Sequence, residues 1–185
     1  MYQLNDFESR ELLDQALADN ISQILQSAIN SKGKASIAVS GGSTPKGFFK
    51  ALSNKSIDWK KVTITLADER WVDINSEDSN TRLVHENLLQ NNAKAATFFH
   101  LKQGDALSEE TLATLNVAAK NDLLPLDVSV SMSSHRLSLS AVNVHAAEVA
   151  VGISNTQKSP SSNVRNDPVT TVSSLSSVAS IGVNT

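Results

Sequence analysis

Along the first 128 residues the apolar positions fall into two rhythms that alternate with each other. Leu13, Leu17, Ile21, Ile24, Leu25 and Ala28 recur at three- and four-residue steps, which predicts an amphipathic helix over 8–30. The run "ASIAV" at 35–39 reads as a short buried strand. Pro45 at a first helical position, with Ser43 or Thr44 as N-cap, opens a helix to about Leu52. The β-branched run "VTITLA" at 62–67 predicts a second strand. "NTRLVHENLL" at 80–89 predicts a helix that turns Leu83, Val84 and Leu88 inward. A strand over 97–101, a helix over 109–123 and a strand starting at 126–130 follow. Helix-length segments between strands favour a parallel α/β sheet.

Near Val128 the pattern stops, and the composition changes with it. Residues 1–128 hold all eight aromatic side chains, 17 of the 19 acidic residues and 12 of the 27 serines. Residues 129–185 hold no aromatic residue, two acidic residues and 15 serines. With so few large side chains, this tail is expected to lack fixed structure, because it cannot offset its ordering entropy. Its ten valines are unusual for a serine-rich linker. The division is therefore 1–130 as an α/β domain and 131–185 as a tail.

Charge and cysteine narrow the function classes. A net charge of −3 disfavours a nucleic-acid or polyanion binder. With no cysteine there is no disulfide framework and no thiolate metal site. The N-terminus lacks a basic segment leading into an apolar one, and no stretch reaches transmembrane length. A cytoplasmic protein that does not engage membranes is expected.

In parallel α/β sheets ligands bind beyond the carboxyl ends of the strands, and two loops leave those ends here. The first is Ser40-Gly41-Gly42-Ser43-Thr44. Glycines let a backbone approach a ligand closely, and amides at a helix N-terminus favour an anion such as phosphate. An ordinary tight turn with a helix cap would read the same way. The second is Ala67-Asp68-Glu69-Arg70-Trp71-Val72. Carboxylates and a guanidinium at a strand end can orient a polyol and clamp a phosphate, and they can equally form a solvated charged turn. Two such loops at adjacent strand ends point to one pocket. His85 in mid-helix and His100 at a strand end read as surface or packing residues rather than metal ligands.

The order and spacing of these motifs are more specific than any one of them. "SGGSTP" followed by "W..V....ADERWV......SN....ENLL" resembles the 6-phosphogluconolactonase family, which stands with the glucosamine-6-phosphate isomerase/deaminase-like proteins, over about residues 5–128. The resemblance implies a Rossmann-like parallel sheet, incomplete here at its C-terminal side. It implies hydrolysis of 6-phospho-D-glucono-1,5-lactone to 6-phosphogluconate in the oxidative pentose phosphate pathway, without a metal or other cofactor. Carried over by position, Gly41, Gly42, Ser43 and Thr44 would form the phosphate-side loop. Asp68 and Arg70 would line the pocket, Arg70 as a phosphate contact, and Asn80 would brace the same site. The partner implied is a small sugar-phosphate lactone; oligomeric state is left open. Two alternatives remain: amino-sugar phosphate isomerase/deaminase chemistry, and a catalytically dead sugar-phosphate-binding fragment.

The chain departs from the family after "LPLD" at 124–127. The family continues to a "GMGxDGHTASLFP" segment whose His is its expected general acid/base; this chain reads "VSVSMSSHRLSLSAV". One coding of Gly-His-Thr-Ala-Ser-Leu-Phe-Pro, read from its third base, gives Ser-His-Arg-Leu-Ser-Leu-Ser, which is Ser134–Ser140. A reading-frame shift between about Val128 and Ser134 is therefore expected. His135 is then a product of the shifted frame, the catalytic residue stays unassigned, and this chain is expected to be inactive.

Overall fold

A computed structural model describes residues 7–104, 108–133, 136–140, 150–153 and 170–173 of the chain. Helix α1 (Arg10–Lys32) starts where the Ser9 hydroxyl accepts the Leu12 amide. It stops at Gly33, whose φ of 79° suits a residue without a Cβ. Its inward stripe of Ala18, Ile21, Leu25, Ala28 and Ile29 is buried. Strand β1 (Ala35–Val39) is buried at all five positions, which is why it reads as a continuous run and not as an alternation. Helix α2 (Lys46–Ser53) buries Phe48, Phe49 and Leu52 and packs on α1. After it come β2 (Val62–Leu66), β3 (Asp68–Arg70), α3 (Asn80–Asn87) and β4 (Thr97–Phe99). Helix α4 (Glu109–Ala118) runs on through a π-helical turn, Ala119–Leu123. The chain continues through β5 (Val128–Ser133), β6 (Arg136–Ser140), β7 (Ala150–Ile153) and β8 (Thr170–Ser173).

The main sheet has the order β4-β2-β1-β5-β6. Its first four strands are parallel, as the alternation of helices and strands predicts, and β1 lies at the centre between β2 and β5. Asp127 fastens the last of these parallel strands to the first. Its Oδ2 accepts the Ser36 amide at 2.8 Å, its Oδ1 meets Lys32 Nζ at 2.6 Å, and its own amide donates to the Ser36 carbonyl.

Four local features differ from the sequence reading. Residues 68–70 form a strand rather than a loop, paired antiparallel with β8 in a second sheet of order β3-β8-β7. Strand β6 is antiparallel to β5, because a two-residue connection cannot make a parallel crossover. The strand expected over 97–101 ends at Phe99, and His100 follows it. Helix α2 takes Pro45 as its N-cap with no side-chain cap bond, so neither Ser43 nor Thr44 caps it. The described parts of the tail are short strands. The rest of the segment expected to lack fixed structure lies outside the described residues, and so does His135.

Candidate functional site

Parallel pairing of β1 with β2 puts both loops of interest at one edge of the sheet. The register runs from Ala35 against Val62 to Val39 against Leu66, so the two strands end side by side. The chain then leaves β1 through Ser40, whose amide donates to Val130 O at 3.1 Å. It leaves β2 through Ala67, whose amide donates to Val39 O at 2.8 Å. Gly41 and Gly42 follow the first strand directly. Gly42 has φ 89°, a region that a β-carbon makes costly.

Asn80, the first residue of α3, links the two loops. A Cβ built on Gly41 would stand 1.9 Å from Asn80 Oδ1, so only glycine lets the loop lie against this amide. The other end of the same amide donates to Asp68, to its carbonyl at 3.1 Å and to its Oδ2 at 3.3 Å. Gly41, Asn80 and Asp68 are thus in direct succession. Arg70 lies two residues along β3 and so on the same face of the strand as Asp68; its Nη1 donates to Asp78 O at 2.7 Å. Burial pushes the Asp68 carboxyl above its ordinary value and the Glu69 charge adds to this, against the pull of Arg70 and of the Asn80 hydrogen bond.

Glu69 faces the opposite way and is 2 % exposed. Its Oε1 accepts the amides of Arg70 and Asn80, each at 2.9 Å. Its Oε2 accepts the Thr81 amide at 2.7 Å, the Thr81 hydroxyl at 2.5 Å and the Ser79 hydroxyl at 3.5 Å. One carboxylate therefore occupies the positive end of α3 and ties the helix to the strand carrying Asp68 and Arg70. The sequence reading grouped Glu69 with Asp68 as carboxylates that could orient a polyol or form a solvated charged turn; the structure instead turns it inward to cap α3. Its signal was present in a charged residue between two others at a strand end, since a buried inward carboxylate requires donors and a helix start supplies them.

Ser43 and Thr44 complete the loop before α2. The Thr44 carbonyl accepts from Arg10 Nη2 on α1, a partner 34 residues away that no local pattern reveals. Behind β3 a separate cavity of about 150 Å³ is lined by Glu69, Asp73, Ser79, Thr81, His100 and Lys102. It does not include the glycine loop, Asp68 or Arg70, and the hydroxyls of Ser79 and Thr81 are already turned to Glu69. His85 and His100 stack with centroids 5.9 Å apart, both rings against Phe98, and burial lowers the basicity of each. This is the packing role expected of them. Among the described residues no three His, Cys, Asp or Glu side chains gather as a metal site, and no helix is long and apolar enough to cross a membrane.

The family described as "Glucosamine-6-phosphate isomerases/6-phosphogluconolactonase" matches residues 8–130, about two thirds of the chain. The chain belongs to this family. A 6-phosphogluconolactonase of Rhizobium meliloti is 46% identical over 124 residues, covering 67% of this chain and 53% of the relative. One from Mesorhizobium japonicum is 46% identical over 129 residues, covering 70% and 54%. The crystal structure of a 6-phosphogluconolactonase from Shewanella baltica superposes with a TM-score of 0.70 at 34% identity, over 91% of this chain and 72% of that one. The chain spans about half the length of the curated relatives it matches. The matched stretch contains the glycine loop, β3 and the start of α3.

Proposed function

We propose that this chain carries the phosphate side of a 6-phosphogluconolactonase site, whose whole reaction is the hydrolysis of 6-phospho-D-glucono-1,5-lactone to 6-phosphogluconate. The observation that carries the reading is the contact of Gly41 with Asn80 and of Asn80 with Asp68, which makes one locus of two loops. An anion at such a locus meets the amides of a glycine-rich bend ahead of α2 and the guanidinium of Arg70. Gly41, Gly42, Ser43 and Thr44 would receive the phosphate with Arg70. Asp68, held by Asn80, would accept from sugar hydroxyls and fix the ring. In the complete reaction water attacks the C1 carbonyl while a positioned base takes its proton and an acid returns one to the ring oxygen. That proton-transfer part belongs to the family's glycine-flanked histidine segment, which this sequence lacks. The chain's own share is binding and orientation, and its lactonase rate falls short by the 10²–10⁴-fold that general acid–base catalysis typically contributes. The relatives' names favour the lactonase over the isomerase/deaminase chemistry. A pentose phosphate role, a sugar-phosphate lactone as the partner and a cytoplasmic location belong to the same proposal.

Titration of the purified 185-residue chain with 6-phosphogluconate tests this directly. Arg70→Ala removes a charge-assisted contact worth about 1.5–3 kcal/mol, so affinity should drop ~10–100-fold. An unchanged affinity would return Arg70 to a structural role at Asp78. Full lactonase turnover by this chain, after subtraction of spontaneous hydrolysis, would overturn the division of labour.

A further inference from the structure

Arg10 stands at the first position of α1, where the helix dipole opposes a positive charge. Two acceptors hold it there. Its Nε donates to Asp14 Oδ1 at 3.0 Å, and its Nη2 donates to the Thr44 carbonyl at 2.5 Å. The Asp14 side chain is 9% exposed and the Arg10 side chain 42%, so the acid is the fixed member of the pair and the guanidinium reaches outward from it. Asp14 also meets α2: a Cβ on Gly47 would stand 2.1 Å from its Oδ2. The pair therefore touches segment 44–47 twice, at the Thr44 carbonyl and at the α-carbon of Gly47.

Thr44 is the last residue of the glycine-rich bend, and Pro45 follows it. The peptide unit joining them has no N–H, so it presents only a carbonyl dipole. In a loop that receives an anion, an unneutralised carbonyl is a repulsive element. A guanidinium on that oxygen cancels it and brings a full positive charge to the loop. Nη1 of Arg10 takes no further partner among the described residues.

We propose that Arg10 is a positioning residue for phosphate recognition: held by Asp14, it fixes and neutralises the Thr44 carbonyl and adds its charge to the field of the 41–44 loop. This inference rests on the sugar-phosphate reading above and names a residue outside the two loops. It also accounts for Gly47, since any side chain there would displace the carboxylate that aims Arg10.

The experiment titrates the full chain and its Arg10→Gln and Arg10→Lys variants with 6-phosphogluconate at low and moderate salt. The amide signals of Gly41, Gly42 and Thr44 are followed by NMR. Loss of the charge should weaken binding about 5–10-fold and flatten its salt dependence, as for a unit charge acting across a few ångströms near the surface. Arg10→Lys should recover the salt dependence and part of the affinity, because it keeps the charge and loses the fork. A merely structural role would lower the unfolding temperature and leave the salt dependence alone, and that result overturns the inference. Parent-like affinity in Arg10→Gln, with binding still lost in Arg70→Ala, overturns the role of Arg10 and leaves the site reading standing. No binding by the parent chain overturns both. If Arg10→Gln does not fold, Arg10→Lys decides: a several-fold weaker affinity supports the fork on Thr44, and parent affinity overturns it.

Discussion

Gly41 lies against the side-chain amide of Asn80, with room for a hydrogen and none for a methyl group: a Cβ would fall 1.9 Å from Oδ1. Gly41→Ala must therefore move either the loop or the amide. The expected cost is about 1–3 kcal/mol of stability, read as a lower denaturation midpoint at unchanged m-value. Truncating the amide as well, in Gly41→Ala with Asn80→Ala, should return part of that stability. Binding of 6-phosphogluconate should stay impaired, since Asp68 then loses its donor. Two single-variant losses that simply add would show that the contact is not there.

Glu69 accepts three backbone amides in a buried setting. Glu69→Ala strands the amides of Asn80 and Thr81 at the start of α3. At about 1–3 kcal/mol for each of the two buried donors left unpaired, a loss on the order of 2–6 kcal/mol is expected from chemical denaturation. Glu69→Gln should be nearly as costly, because its NH₂ end faces donors. A loss below about 0.5 kcal/mol in both variants would contradict the capping role.

Asp68 gives a stability effect with a definite sign. Its folded-state pKa lies above its ordinary value near 3.8, with burial as the largest cause. The stabilising proton is fully present below that ordinary value and is lost as pH rises through the raised folded value. Above that window the charged, half-buried carboxylate detracts from stability. Asp68→Asn should therefore gain in unfolding temperature relative to the parent between pH 3 and pH 7. Asp14 is shifted in the same direction but is present in both proteins, so it cancels in the difference. A difference that is flat or shrinks with rising pH would refute the burial argument.

Thr44→Ala removes a neutral hydroxyl from the bend and leaves its amides and its carbonyl in place. A loss of about 0.5–1.5 kcal/mol, or roughly 2–10-fold in affinity for 6-phosphogluconate, is expected. That is smaller than the effect of Arg70→Ala. The reverse order would move the main phosphate contact from Arg70 to the loop hydroxyl.

The helices and the parallel strands were legible because burial leaves a period in the chain. Ile21, Leu25 and Ala28 mark a helix face, and Ile37 and Ile64 mark strands covered on both sides. Strand β3 escaped because its pattern is inverted: the buried residue is Glu69, and the residues beside it are also charged. A carboxylate that finds its partners on a helix ten or more residues away cannot be told from a solvated one by local sequence. The cap of α2 was misplaced for a related reason, since Ser43 and Thr44 are competent caps in isolation. Gly41, Asp68, Arg70 and Asn80 were singled out as candidates through motif order, and the structure puts Gly41, Asn80 and Asp68 in contact. Arg10 and Asp14 could not be, because they reach the loop by helix packing across 34 residues.

The central position of β1 also governs when the site can be assembled. One neighbour, β2, follows it closely in the chain and the other, β5, comes from the far end of the domain, so the Ser36–Asp127 hydrogen bond closes a separation of 91 residues. A nascent chain that has released β1 to β3 already contains the glycine loop and Asp68, but one edge of β1 is still bare. That edge is a row of unpaired amides and carbonyls able to take any strand that arrives first. Residues 128–130 must emerge before it is covered, so the sheet that presents the two loops closes late, and the interval before it is when this chain is most exposed to mispairing with its neighbours.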